Sequence, residues 1–103
     1  MTEIYTIEDI KNISTPIFKN HKVNKVILFG SYSEGKATAE SDIDLVVETS
    51  EDVVGFEFFN IVADIEDAFN KEIDFICSKS IINNSIIERE IMKNGKVIYE
   101  KAG

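Results

Sequence analysis

An α/β fold, a small β-sheet covered by helices, is predicted by three features of the sequence. The segment Val23-Asn-Lys-Val-Ile-Leu-Phe29 closes in a continuous apolar run that stops at Gly30, the pattern of a strand buried inside a sheet. Two further segments, Asp42–Val47 and Glu72–Cys77, interleave acidic and apolar residues with the period of two that a strand imposes. Between them, Val54, Phe58, Ile61, Val62, Ile65, Ala68 and Phe69 recur at helical spacing, and a helix so apolar on one side must cover a sheet. At 103 residues the chain is expected to form one domain spanning residues 1–103.

Taken in order, Ile7, Ile10, Ile13, Ile17 and Phe18 predict a first helix over Ile4 to His21. Pro16 removes a backbone donor there, predicting either a kink or a second short helix beginning after Ser14 and Thr15. The first strand follows over Val23–Phe29. Gly30 to Ser41 is polar and contains Gly35, so it reads as a loop, or a short helix plus loop. In the second strand Asp42, Asp44 and Val46 share one face while Ile43, Leu45 and Val47 share the other. The long helix is expected over Val53 to Asn70, with Glu57, Asp64 and Asp67 facing water.

In the third strand Asp74 and Ile76 point one way and Ile73 and Phe75 the other. Ile82, Ile86, Ile87 and Ile91 predict a last helix over Ile81 to Lys93, with Gly95 as its C-cap. Val97–Tyr99 is short enough for an edge strand, and the residues after it are expected to fray. His21 suits a helix C-terminus or an exposed position, and Cys77 a small buried hydrophobe. Phe58 and Phe69 suit the core, which leaves Phe56 and Phe59 for the helix flank and a possible protein contact.

Composition narrows the function. No apolar run approaches the roughly 20 residues needed to cross a bilayer, and Met1 to Asp9 is polar and acidic where a secretory signal would be basic and then apolar. A cytoplasmic, membrane-free protein is expected. The single cysteine excludes an intrachain disulfide and a thiolate metal cage. A formal charge of -8 opposes direct binding to a nucleic-acid backbone. A nucleotide remains a possible ligand, because it needs only a local site where metal ions offset carboxylates and phosphates together.

The chemistry is concentrated between Gly30 and Asp44. An Asp-x-Asp pair alone is weak, since the 19 acidic residues would give about three acidic i,i+2 pairs by chance. Here, however, Asp42 and Asp44 lie in an apolar strand on one face, within reach of one ion. Two close carboxylates repel unless a positive charge sits between them, and Mg2+ prefers such hard oxygen ligands. The alternative is that this strand lies near an edge with its acids facing solvent. Gly30 permits a tight turn, after which backbone N–H groups and the Ser31 hydroxyl can meet a phosphate, more so if a short helix begins there. Neither a Walker A loop nor a dinucleotide fingerprint is present.

Asp74, flanked by Ile73 and Phe75, is a third candidate, because a carboxylate inside an apolar strand is costly without a partner. If the second and third strands are neighbours, Asp74 can complete a triad. One Mg2+ would then sit with a triphosphate, and a second, about 3.5 to 4 Å away, would activate an acceptor hydroxyl. Asp74 could instead act as general base, or simply be a surface acid. Tyr32 is placed either to stack on a base or to pack over the loop.

Gly30-Ser31, ten residues, then Asp42-Ile43-Asp44, and after a helix Ile73-Asp74-Phe75, together resemble the signature of the polymerase-beta-like nucleotidyltransferases, specifically the minimal ones. The likeness runs through "KVILFGS", "SDIDLVV", "EIDFI" and the closing "EREIMKNGKVIYE". It implies a small mixed β-sheet with helices packed against one face, binding ATP with Mg2+. Asp42, Asp44 and Asp74 would be the metal-binding and catalytic carboxylates. Gly30 and Ser31 would form the phosphate turn, and Tyr32, Lys36 and Ser41 would extend the nucleotide contacts.

The resemblance further implies a helical partner of the HEPN toxin class, with the chain acting as an antitoxin that transfers AMP from ATP onto a tyrosine of that partner. Ser33-Glu34 stands where many relatives have Ala-Arg, so nucleotide affinity falls unless Lys36 compensates. Two other functions stay open: an inactive or weakly active antitoxin that neutralises its partner by binding alone, and a subunit that modifies a small molecule. A homodimer and a hetero-oligomer both remain compatible with the sequence.

Overall fold

The computed structural model describes residues 4–53 and 55–101. Val54, predicted to begin the apolar stripe of the long helix, lies outside them, as do part of the polar N-terminal segment and the last two residues. The elements run α1 (Ile7–Lys19), β1 (Val23–Phe29), β2 (Ile43–Thr49), α2 (Gly55–Phe69), β3 (Ile73–Cys77), a 3-10 turn (Ser78–Ser80), α3 (Ile86–Asn94) and β4 (Lys96–Glu100).

Helix α1 begins at Ile7 because Thr6 caps it. The Thr6 hydroxyl accepts from the Asp9 amide at 3.0 Å and the Asp9 carboxylate accepts from the Thr6 amide at 3.0 Å, a reciprocal cap of the capping-box kind, worth about 1 kcal/mol. The helix runs through Pro16 without a second start. Pro16 and Asn12 are on its exposed side, where water can replace the donor that proline lacks. Asn20, not His21, is the C-cap. His21 instead pairs with Asp64 of α2, Nε2 to Oδ2 at 2.9 Å.

The sheet has the order β3-β2-β1-β4 and is mixed: β1 pairs antiparallel with β2 and β4, while β2 pairs parallel with β3. A parallel neighbour requires a crossover, which α2 provides. Helices α1 and α2 cover the face carrying Val26, Leu28, Ile43, Leu45, Val47, Ile73 and Ile98, and bury Ile10, Phe18, Ile61, Ile65 and Phe69 against it. Each such side chain contributes roughly 1.5–3 kcal/mol by leaving water. The Tyr5 hydroxyl donates to the Phe69 carbonyl at 2.8 Å, tying the segment before α1 to the end of α2.

Helix α3 is shorter than its isoleucine spacing predicts. Asn84 takes a left-handed φ of 64° and Ser85 caps the helix, its hydroxyl accepting from the Glu88 amide at 3.1 Å, so Ile81 and Ile82 fall before it. None of its residues is fully buried, and Ile86 is 83% exposed. Gly95 is the C-cap, as expected. Any side chain there would meet the Ile91 carbonyl oxygen at 2.3 Å and the Ile27 side chain at 2.8 Å. Ala68, assigned to the apolar stripe of α2, is exposed, whereas Phe56 and Phe59 face solvent as expected.

Candidate active site

Strand alternation and register assemble one row of side chains. Asp44 lies opposite Phe29 of β1 and in register with Asp74 of β3, and residues paired across strands project from the same face. That face is opposite the one α1 and α2 cover. Because β2 is interior to the sheet, its acids are not edge-strand decoration. Asp42 precedes the observed start of β2 and is partly buried, as is Asp44. Asp74, by contrast, is exposed on the edge strand β3: it points away from Ile73 and Phe75, as alternation predicts, and has the exposure of a surface acid.

Burial first, then the Asp74 carboxyl as hydrogen-bonding neighbour and like charge, and then the charge of Asp42, push the Asp44 carboxyl up to about 7. Crowded carboxylates holding a proton so strongly are what a cation would relieve. Among the described residues, no three His, Cys, Asp or Glu side chains form a ready-made metal cage. Mg2+ needs none, being normally held by one or two carboxylates together with substrate phosphates and waters. The donor set, all hard oxygen, fits it.

Gly30 joins β1 to this row. It has φ +75°, and a Cβ on it would lie 2.2 Å from Asp44 Oδ2. No helix follows. The segment is a run of turns in which the Ser33 and Glu34 amides both donate to the Gly30 carbonyl at 3.1 Å, Gly35 to Tyr32, and Lys36 to Ser31. Those four amides are therefore used inside the turn. The Ser31 and Tyr32 amides and the Ser31 hydroxyl make no hydrogen bond among the described residues, which leaves them as the donors available to a phosphate.

The other predicted contacts divide. Tyr32 is only 3% exposed and packs into the core, its hydroxyl buried without a partner among the described residues, so it packs beneath the loop and its ring is not presented to a base. The Ser41 hydroxyl accepts from the Thr38 amide at 2.9 Å and organises the approach to Asp42. Lys36 Nζ stands 3.7 Å from Glu34 Oε1, so the two replace each other's missing counter-charge. Sequence reasoning missed Lys71, whose Nζ donates to the Ala39 carbonyl at 2.9 Å and fastens the loop before Asp42 to the entry of β3. It also missed Lys96, whose ammonium donates to the Ser33 carbonyl. Neither contact has a local signal, since each joins segments distant in sequence.

The sequence matches the polymerase beta, nucleotidyltransferase family over residues 11–102. The chain belongs to this family. It is 38% identical over 84 residues to a Methanocaldococcus jannaschii protein provisionally named a protein adenylyltransferase, covering 76% of this chain and 84% of that one. Its fold superposes on a crystal structure of a toxin–antitoxin with AMP-PNP at a TM-score of 0.73 and 20% identity, covering 88% of this chain and 73% of the other. A structure of tri-AMPylated Shewanella oneidensis HEPN toxin in complex with MNT antitoxin matches at a TM-score of 0.68 and 17% identity, covering 93% and 74%. These two likenesses concern the fold. Membership places the chain among nucleotidyltransferase enzymes, with the α/β mixed-sheet core that the sequence predicted. Among the described residues no helix is long and apolar enough to cross a membrane.

Proposed function

We propose that the chain is a single-domain cytoplasmic adenylyltransferase that moves AMP from ATP onto a hydroxyl, the tyrosine of a HEPN-class toxin being the acceptor. The observation that carries this is the row formed by Asp44 and Asp74 in register beside the Gly30 turn. The family supports nucleotidyl transfer, and the relatives' names support AMP as the group moved and a toxin as the recipient.

Asp42 and Asp44 would hold Mg2+, up to two ions with Asp74 as third carboxylate, and the metal would supply the positive charge that offsets carboxylates and phosphates. The Ser31 and Tyr32 amides and the Ser31 hydroxyl orient the phosphates. The acceptor oxygen attacks the α-phosphorus, the bond from that phosphorus to the α,β-bridging oxygen breaks, and pyrophosphate leaves with those electrons. The acceptor's proton passes to a carboxylate, and Asp74, exposed at the sheet edge, is reached first from solvent. Orientation of both reactants supplies much of the rate of a transfer reaction. A protein that brings its own tyrosine meets that need.

Net charge of -8 favours a second reading, an antitoxin acting by electrostatic and shape complementarity alone. Intact-mass measurement of the toxin after incubation with ATP and MgCl2 separates the two. AMP additions with the native chain and none with Asp42→Asn/Asp44→Asn are expected. No addition, with neutralisation unchanged in the variant, would replace transfer by binding.

A further inference from the structure

The face that carries the carboxylates is covered at one end and open at the other. Ile27 of β1 pairs with Val46, which shares the face of Asp44, and the end of α3 lies against it, since a Cβ on Gly95 would meet the Ile27 side chain at 2.8 Å. In the opposite direction the row ends at β3, the edge of the sheet, with Asp74 exposed. The side left open to an acceptor is therefore that of β3.

This edge carries unused backbone groups. Ile43 is in register with Ile73, and its amide donates to the Glu72 carbonyl at 3.4 Å. In a parallel pair that phase turns the N–H and C=O groups of Glu72, Asp74 and Ile76 toward β2 and those of Ile73 and Phe75 away from the sheet. Neither Ile73 nor Phe75 makes another backbone hydrogen bond among the described residues. The outward groups form a ladder for one more strand, and β3 holds no proline or lysine to blunt it. On the helix side, Phe58 of α2 packs against Phe75 with ring centroids 6.2 Å apart, and the neighbouring Phe59 is 72% exposed.

We propose that the acceptor protein docks here by strand addition, an extended, basic, tyrosine-bearing segment pairing with the free edge of β3; this rests on the adenylyl-transfer reading above. Alternation decides what such a strand presents. The residue opposite Asp74 projects onto the open face, in line with Asp74 and Asp44. It stands two strand spacings, about 10 Å, from β2, a span that the long phenol of tyrosine covers and the short hydroxyls of serine and threonine do not. Its two neighbours project to the other side, toward Phe75 and Phe59, so backbone bonds supply affinity and alternate side chains supply specificity. Basic residues two positions from the tyrosine meet the open face again, where Glu72 lies with Asp74. Charge also selects against a second copy of this chain, whose β3 would bring another Asp74 and another net charge of -8 to the same edge.

The test is amide hydrogen exchange, read by NMR on the full isotope-labelled chain without nucleotide. The probe is a capped heptapeptide in which valine and lysine alternate about a central tyrosine. Its addition is expected to slow exchange of the Ile73 and Phe75 amides by about tenfold or more, and that of Asp74, already turned to β2, far less. N-methylation of the two valines beside the tyrosine removes the donors of an antiparallel strand while keeping charge and side chains, and is expected to abolish the protection. Loss on methylating the tyrosine nitrogen instead shows a parallel strand and equally supports the proposal. Protection that survives both changes, that appears on β4 instead, or that never develops up to the solubility limit of the peptide overturns it. So does protection of Ile73 and Phe75 that grows with protein concentration alone, which would assign the edge to a second copy. A peptide that protects these amides yet gains no AMP when ATP and MgCl2 are added counts against the transfer reading alone.

Discussion

Gly30 and Asp44 share one space: the position a Cβ would take on Gly30 lies 2.2 Å from the Asp44 Oδ2 atom. The turn and the carboxylate can therefore approach only while residue 30 is glycine. Gly30→Ala adds left-handed strain of about 1–2 kcal/mol and displaces the Asp44 side chain. Because misplacing a reacting group by about 1 Å can cost ~100-fold in rate, activity is expected to fall far more than stability. Thermal melts and initial rates on the same preparation check this; equal losses in both would refute it.

Asp44 gives a pH dependence of defined sign. Its carboxyl is raised from 3.8 to about 7 in the fold, so the folded protein holds this proton more tightly than the unfolded chain does. The stability it contributes is complete below about 3.8 and is lost as pH rises through about 7. In EDTA, Asp44→Asn should remove that loss, so its Tm advantage over the native chain grows between about pH 5 and about pH 8. Mg2+ should stabilise the native chain more at the higher pH. A Tm difference independent of pH would contradict the assignment.

Among the described residues, the buried Tyr32 hydroxyl has no partner. Leaving such a group unpaired costs about 1–3 kcal/mol, so deleting it is neutral or favourable. Tyr32→Phe is expected to keep or raise the denaturation midpoint, by up to about 1 kcal/mol, and to leave nucleotide binding intact. Marked destabilisation would mean that the hydroxyl has a partner in solution.

On α2 two apolar residues should behave oppositely. Ile65 is fully buried and Phe59 is 72% exposed. Ile65→Ala is expected to cost about 2–5 kcal/mol, and Phe59→Ala no more than about 0.5 kcal/mol in the isolated chain. Urea unfolding measures both.

What could be read from the sequence was local. Strand β1 was legible because an apolar run met a glycine, and the facing of Asp44 followed from alternation, whereas Asp42 lies just before the strand it was expected to open. The start of α3 was not, because Ile81 and Ile82 keep helical spacing with Ile86 while Asn84 breaks the backbone and Ser85 begins the helix. Periodicity also implied a fully buried face for α3, whereas the fold only partly buries Ile91 and leaves Ile86 exposed. The exposure of Asp74 depends on which strand ends the sheet, and Tyr32 could be placed only after the turn was built.

The antiparallel pairing of Leu28 with Lys96 joins residues remote in sequence, so the chain between them must be closed, at an entropic cost, before the pair can form. The hairpin of β1 and β2, with Gly30 and Asp44, draws instead on neighbouring segments. The sheet is therefore held at one edge by a contact that spans most of the chain.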